Sequence, residues 1–461
     1  MQGSHAWRGD GAVFDEDNLV SHAGLVPLME LAEQAGLSVL LDEHVRFTSE
    51  RVKSGAANAT PKLTSIVAGM AAGADSIDDL DVIRSGGMKQ LFGGVYACAT
   101  LGILLREFTH GHVRQLGAVL RRFLVALAGR TPLLSGITER AYIDIDSLLR
   151  PVYGKAKQGA SFGHTKLAGK SILRRGLSPL AVTISTDTAA PVLAGVRLRA
   201  GRAGSSKGAA SMVTEAVNTA IDAGAQPQNI LVRGDSAYCS GKIIAAVVKA
   251  GASFSFAIAH NSAVDAAIAR IPDDAFVPVR YPGAVADPDT GELMSDAAVA
   301  EVPYTAFADS PYEITARLVV RRVLDANTQD PLFPVWRYHP FLTNSAEPVA
   351  QADITHREHA ICETVWSDLI DGPWAHQPSG SFGANAAWTV LAAITHNLLR
   401  AAGTMTDLAR YAVARGATVR THLINVAARF ARPQRRPVLH LPSHWPRADA
   451  WLAFWRAVFD T

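Results

Sequence analysis

Cysteine is scarce in this sequence, and no uninterrupted hydrophobic run is long enough to span a membrane. The three cysteines lie far apart at Cys98, Cys239 and Cys362 and form no C-x-x-C pair, so we expect neither a disulfide framework nor a zinc cluster. The longest nearly apolar stretch, 91–105, falls short of the roughly 20 residues that cross a bilayer, and we interpret it as buried helix. Residues 1–10 lack the apolar centre of a secretory signal. These absences predict a protein of the reducing cytoplasm without a membrane partner.

Net charge is also low, at +2, but the charged residues are distributed unevenly. No Asp or Glu occurs between Asp146 and Asp187 or within 415–447, and each of these segments contains seven basic residues. A local excess of positive charge favours contact with nucleic-acid phosphates, whatever the total charge. Two ordinary solvated surfaces are the alternative interpretation. The basic residues are Arg150, Lys155, Lys157, Lys166, Lys170, Arg174, Arg175, Arg415, Arg420, Arg429, Arg432, Arg435, Arg436 and Arg447.

Residues 1–135 show the apolar spacing of helices. Thr100 is placed to cap a helix that runs to about Ala128, and the polar side of this helix carries six Arg or His residues against the single acid Glu107. Such a helix either contacts DNA or forms the basic outer surface of a helical bundle. We expect an all-helical N-terminal region that binds DNA.

The hydrophobic period changes from residue 136 onward. The stretch from Tyr142 to Asp146 alternates between apolar and polar residues, as a strand does. Further strands and helices follow up to residue 259, which is typical of an α/β layered domain. The expected strands are 180–185, 191–198, 230–232 and 253–259, and the expected helices are 208–223 and 240–250.

The rest of the chain divides into three segments. Residues 260–349 contain Pro, Gly and Asp turns and read as a β-rich insertion. Helix returns in 350–403, and 404–461 forms a basic C-terminal tail. The sequence therefore predicts an α/β core in two parts, 136–259 and 350–403, separated by the insertion.

Three acidic residues stand at positions suited to phosphoryl transfer. Asp146 lies in an apolar strand, where a carboxylate costs free energy unless it is paired or bound to a cation. Asp235 directly follows a short strand, and Glu363 lies on a predicted helix on which positions 356, 359 and 363 share a face. Two divalent ions held by such carboxylates stabilise an attacking and a leaving oxygen together. Taken singly, the three acids are also explained as a strand-end turn, a helix cap and a surface helix residue.

Several short blocks occur in order along the chain. They are Asp144-Ile145-Asp146-Ser147, Val152-Tyr153-Gly154, Lys157-Gln158-Gly159-Ala160, Leu198-Arg199-Ala200-Gly201-Arg202-Ala203-Gly204, Arg233-Gly234-Asp235-Ser236-Ala237-Tyr238, Cys362-Glu363, Phe382-Gly383-Ala384-Asn385 and His396-Asn397-Leu398-Leu399. Together these blocks resemble the motifs of DDE insertion-sequence transposases with an RNase H-like core. The resemblance covers about 140–400 and, more loosely, the helical N-terminal part.

The resemblance implies an α/β fold in which an RNase H-like core, a mixed five-stranded sheet with helices, is interrupted by the β-rich insertion. It implies Asp146, Asp235 and Glu363 as ligands of Mg²⁺, with Mn²⁺ as a substitute, while Asp144 belongs to the motif without an assigned role. The implied reaction is bacterial DNA transposition, in which element ends are cut and joined to target DNA. The implied partners are double-stranded DNA, as terminal inverted repeats and as target, and a second copy of the chain. No nucleotide cofactor is expected, because the glycine-rich stretch 201–208 lacks the P-loop form.

One part of the sequence departs from the family pattern. Many members carry Y-x2-R-x3-E-x6-K around the glutamate, and the corresponding residues here are His356, His359, Glu363 and Ile370. Another cation must then contact phosphate. The candidates for this role are His359 and the lysines Lys155, Lys157, Lys166 and Lys170. Separately, the C-terminal Arg432, Arg435 and Arg436 are expected to contribute to DNA affinity. For His359, packing on the sheet is the alternative.

Two other functions remain open on the sequence. One is a metal-dependent nuclease with the same core that cleaves DNA without joining it. The other is an inactive transposase relative that only binds element ends, as the missing lysine would permit.

Overall fold

The computed structural model describes residues 11–47, 55–167, 170–279, 297–324 and 335–460, without side chains for 166–171. The N-terminal part is helical apart from a two-residue strand. Its elements are β1 (Leu19–Val20), α1 (Leu25–Gln34), α2 (Leu37–His44), α3 (Ala59–Ala72), α4 (Cys98–Arg106) and α5 (His110–Arg130).

The helix expected between Thr100 and Ala128 is two helices. Thr109 separates α4 from α5 with extended backbone angles, and its hydroxyl accepts the amide N–H of His112 at 3.4 Å. Thr109 rather than Thr100 therefore caps the basic helix, because its side chain satisfies one of the free amides at the helix start. The run 91–105, expected as buried helix, becomes helical only at Cys98.

The middle of the chain alternates strands and helices, as predicted. Its elements are β2 (Ala141–Ser147), β3 (Arg150–Pro151), β4 (Ser161–Leu167), β5 (Lys170–Leu177), β6 (Leu180–Ser185), β7 (Val192–Arg197), α6 (Ala209–Asp222), β8 (Ile230–Gly234), α7 (Gly241–Lys249) and β9 (Ser253–Ala257). The strands β4 and β5 were not predicted, because their glycine-rich and basic sequence lacks a regular apolar alternation. They pair with β3 in a separate three-stranded sheet of order β3-β5-β4.

The segment expected as an insertion contains α8 (Ser262–Ile268), β10 (Val277–Pro278), β11 (Ala297–Ala306), β12 (Ile314–Leu324) and β13 (Trp336–Thr343). Its strands continue the central sheet, because β13 pairs antiparallel with β9 through Phe341 and Ala257. Among the described residues this sheet has nine strands in the order β10-β11-β12-β13-β9-β8-β2-β6-β7. The protein is thus a mixed α/β structure, as expected.

The C-terminal part contains α9 (Val349–Arg357), α10 (Cys362–Ile370), α11 (Phe382–Thr404), α12 (Ala409–Ala412), α13 (Gly416–Val419), β14 (Ala428–Ala431), β15 (Val438–His440) and α14 (Ala448–Phe459). β14 pairs with both β1 and β15 in a second small, three-stranded sheet. The two ends of the described chain therefore meet.

The long helix α11 forms the centre of the core. It is buried along most of its length and packs against β7, α3 and α5. The buried Asn397 side chain on this helix is satisfied internally, because it accepts the N–H of Leu193 and donates to its carbonyl, both at 2.8 Å. This helix thereby joins the N-terminal helices to the sheet. None of the helices in the described parts of the chain is long and apolar enough to cross a membrane.

Candidate active site

Asp146 lies near the carboxyl end of β2 and is half-buried. The Ser147 amide donates to its Oδ1 at 2.7 Å, and the Trp366 indole N–H donates to its Oδ2 at 3.1 Å. Each carboxylate oxygen therefore accepts one hydrogen bond from the described residues. Both donors are neutral, so the negative charge of the ionised carboxylate remains.

Asp235 reaches the same edge of the sheet from the neighbouring strand. β2 and β8 are parallel, and Ile145 pairs with Gly234, so Asp146 and Asp235 come next on their respective strands. The exposed Asp235 side chain accepts the Ala237 N–H at 2.9 Å and caps a single turn of 3-10 helix, Ser236–Tyr238.

A second contact ties these two strand ends together. The Tyr238 hydroxyl donates to Ser147 Oγ at 2.7 Å, and the Tyr238 side chain is fully buried. Ser147 follows Asp146, and Tyr238 closes the turn that Asp235 begins. This bond therefore holds the backbone around the two acids in one arrangement.

Glu363 is exposed in the first turn of α10. Its charge acts on Asp146 across space: burial, with the negative charges of Asp235 and Glu363, raises the pKa of Asp146 to about 6, against the lowering effect of the bonds from Ser147 and Trp366. The negative charges of Asp235 and Glu363 thus both act on the Asp146 carboxylate. In the described parts of the chain, however, no three Asp, Glu, His or Cys side chains converge closely enough to hold a metal ion.

The helix of Glu363 is interrupted, which corrects the expected alignment of positions 356, 359 and 363. Residues Glu358–Ile361 form a 3-10 turn between α9 and α10, so the α-helical spacing does not run through from His356 to Glu363. A 3-10 turn has three residues per turn instead of 3.6, which rotates the later residues around the helix axis.

The two histidines before Glu363 lie against each other and the sheet. His356 stacks on Phe341 with ring centroids 4.2 Å apart, and burial lowers its pKa to about 3, which keeps it neutral. The half-buried His359 has its ring centroid 5.0 Å from that of His356, and its Nδ1 is 2.5 Å from the His356 carbonyl oxygen. Ile370, at the place of the family's lysine, is half-buried against the core.

Asp144, on the same face of β2 as Asp146, is bound to a cation. Arg233 donates to Asp144 from Nε at 2.7 Å and from Nη2 at 2.9 Å, and both side chains are buried. Arg233 Nη1 also donates to the Thr355 carbonyl at 2.7 Å. Sequence reasoning assigned Arg233 no role, although an arginine inside the apolar strand 230–234 indicates a buried acidic partner.

The residues predicted to contact DNA differ in their surroundings. Lys155 is exposed, whereas Lys157 is half-buried and its ammonium donates to the carbonyls of Gln377 and, at 3.0 Å, of Ser379. Lys166 and Lys170 lie on β4 and β5, and their side chains are outside the described part of the chain.

The three C-terminal arginines are all exposed and lie between β14 and β15. The guanidinium of Arg432 lies 5.1 Å from the centre of the Phe430 ring. The basic residues of 150–175 and of 432–436 therefore lie on or beside two different small sheets.

Comparison with known proteins supports the resemblance noted in the sequence. A comparison with curated protein sequences returned no match. The family model described as transposase DDE domain group 1 matches residues 11–459, which is nearly the whole chain. The chain belongs to this family of DDE transposases.

Proposed function

We propose that this transposase cuts the ends of a bacterial insertion sequence and joins them to target DNA, with Asp146, Asp235 and Glu363 in one active site. The observation that carries the proposal is the parallel register of β2 and β8, which places Asp146 and Asp235 at one sheet edge. The negative charge of Glu363 helps to raise the pKa of Asp146, and this supports Glu363 as the third acid of the site.

The order of the central strands supports an RNase H-like core. Three antiparallel strands, β7, β6 and β2, continue into β8 and β9, which run parallel to β2. We propose 136–259 and 350–403 as the two parts of this core. On this division 1–135 is the helical DNA-binding region, 260–349 the β-rich insertion and 404–461 the basic tail.

The donor set fits divalent metal. Carboxylate oxygens are the ligands that Mg²⁺ prefers, and Mn²⁺ accepts them as well. The mutual repulsion that helps to raise the pKa of Asp146 would be relieved by a bound cation. Asp235 and Glu363 are exposed at the ends of their elements, so their side chains are free of the core packing that would prevent them from turning towards Asp146. Divalent ions at such a site supply electrostatic stabilisation to the attacking and leaving oxygens of phosphoryl transfer.

The chain's own residues orient the acids and hold the DNA. Ser147 and Trp366 fix the carboxylate of Asp146, and the Arg233 pair aligns β2, β8 and α9. The strand of Asp146 leads directly into β3, β4 and β5, whose segment contains no acid. We propose that this basic sheet, with Lys155, Lys166 and Lys170, contacts the phosphates of the element end and that Arg432, Arg435 and Arg436 contact duplex further away. Lys157 instead holds the loop 375–379.

The test is a reaction of the purified protein, in Mg²⁺, with DNA that carries the ends of its element. We expect the protein to act as a homodimer on this DNA. Ligation of cut ends to target DNA is the expected result. Cleavage without joining would indicate the nuclease, and specific binding without any cleavage would indicate the inactive relative. Asp146→Asn serves as the control that separates this activity from a contaminating nuclease.

A further inference from the structure

Trp366 connects the elements of the first and third acids. It lies on α10, three residues after Glu363, and is almost completely buried. Its indole N–H donates to Asp146 Oδ2 at 3.1 Å, although the two residues are 220 positions apart in the sequence. The Ser147 amide, which binds Oδ1, belongs to the next residue of the same strand. Among the hydrogen bonds that the described residues make to this carboxylate, the indole's is therefore the one that relates its orientation to the helix of Glu363.

The position of the Trp366 ring is determined by the core. The ring packs on Trp374 with centroids 5.8 Å apart, and Trp374 donates its own indole N–H to Thr389 on α11 at 2.9 Å. Trp374 and Thr389 are fully buried. Because these contacts do not involve Asp146, the indole is held in place independently of the carboxylate that it binds.

The chemistry of the donor distinguishes Asp146 from Asp144 on the same strand face. Asp144 is bound by the guanidinium of Arg233 and is neutralised by it. An indole is a neutral donor without acceptor capacity, and it uses only one lone pair of Oδ2. It orients the Asp146 carboxylate while leaving its negative charge and remaining lone pairs for a cation.

From this contrast we infer that Trp366 is a positioning residue that presents the Asp146 carboxylate to divalent metal. The inference rests on the proposed function, since it assigns Trp366 a role at the same site. Groups that hydrogen-bond a metal ligand from behind fix its orientation, and their loss typically costs about 10- to 100-fold in metal affinity.

The experiment compares Mn²⁺ binding by wild type, Trp366→Phe and a matched control, Trp388→Phe, with free Mn²⁺ followed by electron paramagnetic resonance. Trp388 is also fully buried in the core. Its indole N–H donates to the Pro373 carbonyl at 2.7 Å, and not to one of the proposed acids. Both variants lose one buried indole N–H. We expect about 10- to 100-fold weaker binding for Trp366→Phe and unchanged binding for Trp388→Phe.

Two outcomes are distinguishable. Equal Mn²⁺ binding by wild type and Asp146→Asn would contradict the proposed metal site itself. If Asp146→Asn loses Mn²⁺ binding as expected but Trp366→Phe and Trp388→Phe bind Mn²⁺ with equal affinity, the role of Trp366 alone would be overturned. If Trp366→Phe fails to fold, benzothienylalanine at position 366 replaces the N–H by sulfur in a ring of the same shape, and the same comparison applies.

Discussion

Asp144 and Arg233 are direct neighbours in the parallel register of β2 and β8, and they form a buried ion pair with two hydrogen bonds. Two residues further along the chain from each of them stand Asp146, on β2, and Asp235, just after the end of β8. The ion pair therefore aligns the two strands that carry the proposed acids. Through the Thr355 carbonyl, Arg233 also holds the end of α9, which precedes the helix of Glu363.

Breaking this pair should destabilise the fold. Asp144→Ala leaves Arg233 buried without its main counter-charge, and we expect a loss of about 3–5 kcal/mol in the free energy of unfolding, measured by urea denaturation. Glu301→Ala, which removes the partner of Arg317 at an exposed position of the same sheet, should cost at most about 1 kcal/mol. Asp144→Leu combined with Arg233→Leu should cost less than the sum of the single changes. Strict additivity would show that the two side chains are not coupled.

Removal of any one proposed acid should abolish DNA cleavage while leaving DNA binding nearly intact. The variants are Asp146→Asn, Asp235→Asn and Glu363→Gln, and the measurements are end cleavage in Mg²⁺ and a binding assay without metal. Glu358→Gln is the matched control, because Glu358 is an exposed glutamate in the 3-10 turn just before α10. A near-normal rate for one of the three would remove that residue from the site.

The stability of the metal-free protein should depend on the ionisation of Asp146. Its pKa in the fold, about 6, lies above the ordinary value of 3.8, so the native state binds this proton more tightly than the unfolded chain. Wild type should therefore lose stability relative to Asp146→Asn as pH rises from about 4 to about 6, and the difference should then stay constant. Thermal unfolding of both proteins in chelator measures this. A difference that does not vary with pH would mean that Asp146 titrates normally.

Divalent metal should stabilise the ionised form of Asp146, whereas burial and the neighbouring acids favour its protonated form. Metal binds the ionised carboxylate, so its affinity should fall as pH drops below about 6. Saturating Mn²⁺ at pH 7 should raise the unfolding temperature of wild type and leave that of Asp146→Asn almost unchanged. An equal shift for both proteins would indicate binding elsewhere.

The C-terminal arginines should contribute to the salt dependence of DNA affinity. Each phosphate contact releases counterion and adds about 0.9 to the slope of log affinity against log salt. Replacing Arg432, Arg435 and Arg436 by Ala should lower this slope by roughly 2 to 3 units. Lys242→Ala with Lys249→Ala, at exposed positions of α7, is the control and should leave it unchanged. The opposite pattern would place the DNA on α7.

His359→Arg tests which group replaces the family's phosphate-contacting residues. The ring lies beside His356 and its Nδ1 contacts a main-chain carbonyl, so we expect the longer, charged arginine to lower the unfolding temperature. Unchanged stability together with faster end cleavage would instead indicate that position 359 faces phosphate. His376→Arg, at an exposed position, controls for the added charge.

The sequence by itself determined the features that depend on near neighbours. The alternation around Asp146, the position of Asp235 just after a strand and the helices on either side of β8 could all be predicted, because strand and helix periods are local properties. The family resemblance rested on short contiguous blocks and is confirmed over 11–459. The acid-free segments were equally visible, because counting charges requires no structure.

Tertiary structure decided which of these groups come into contact. The pairing of Asp144 with Arg233, the bond from Trp366 to Asp146 and the extension of the central sheet through β13 join residues that are 89, 220 and 84 or more positions apart. No local pattern encodes such contacts, because they depend on how complete elements pack against one another and on which buried polar groups must then find partners.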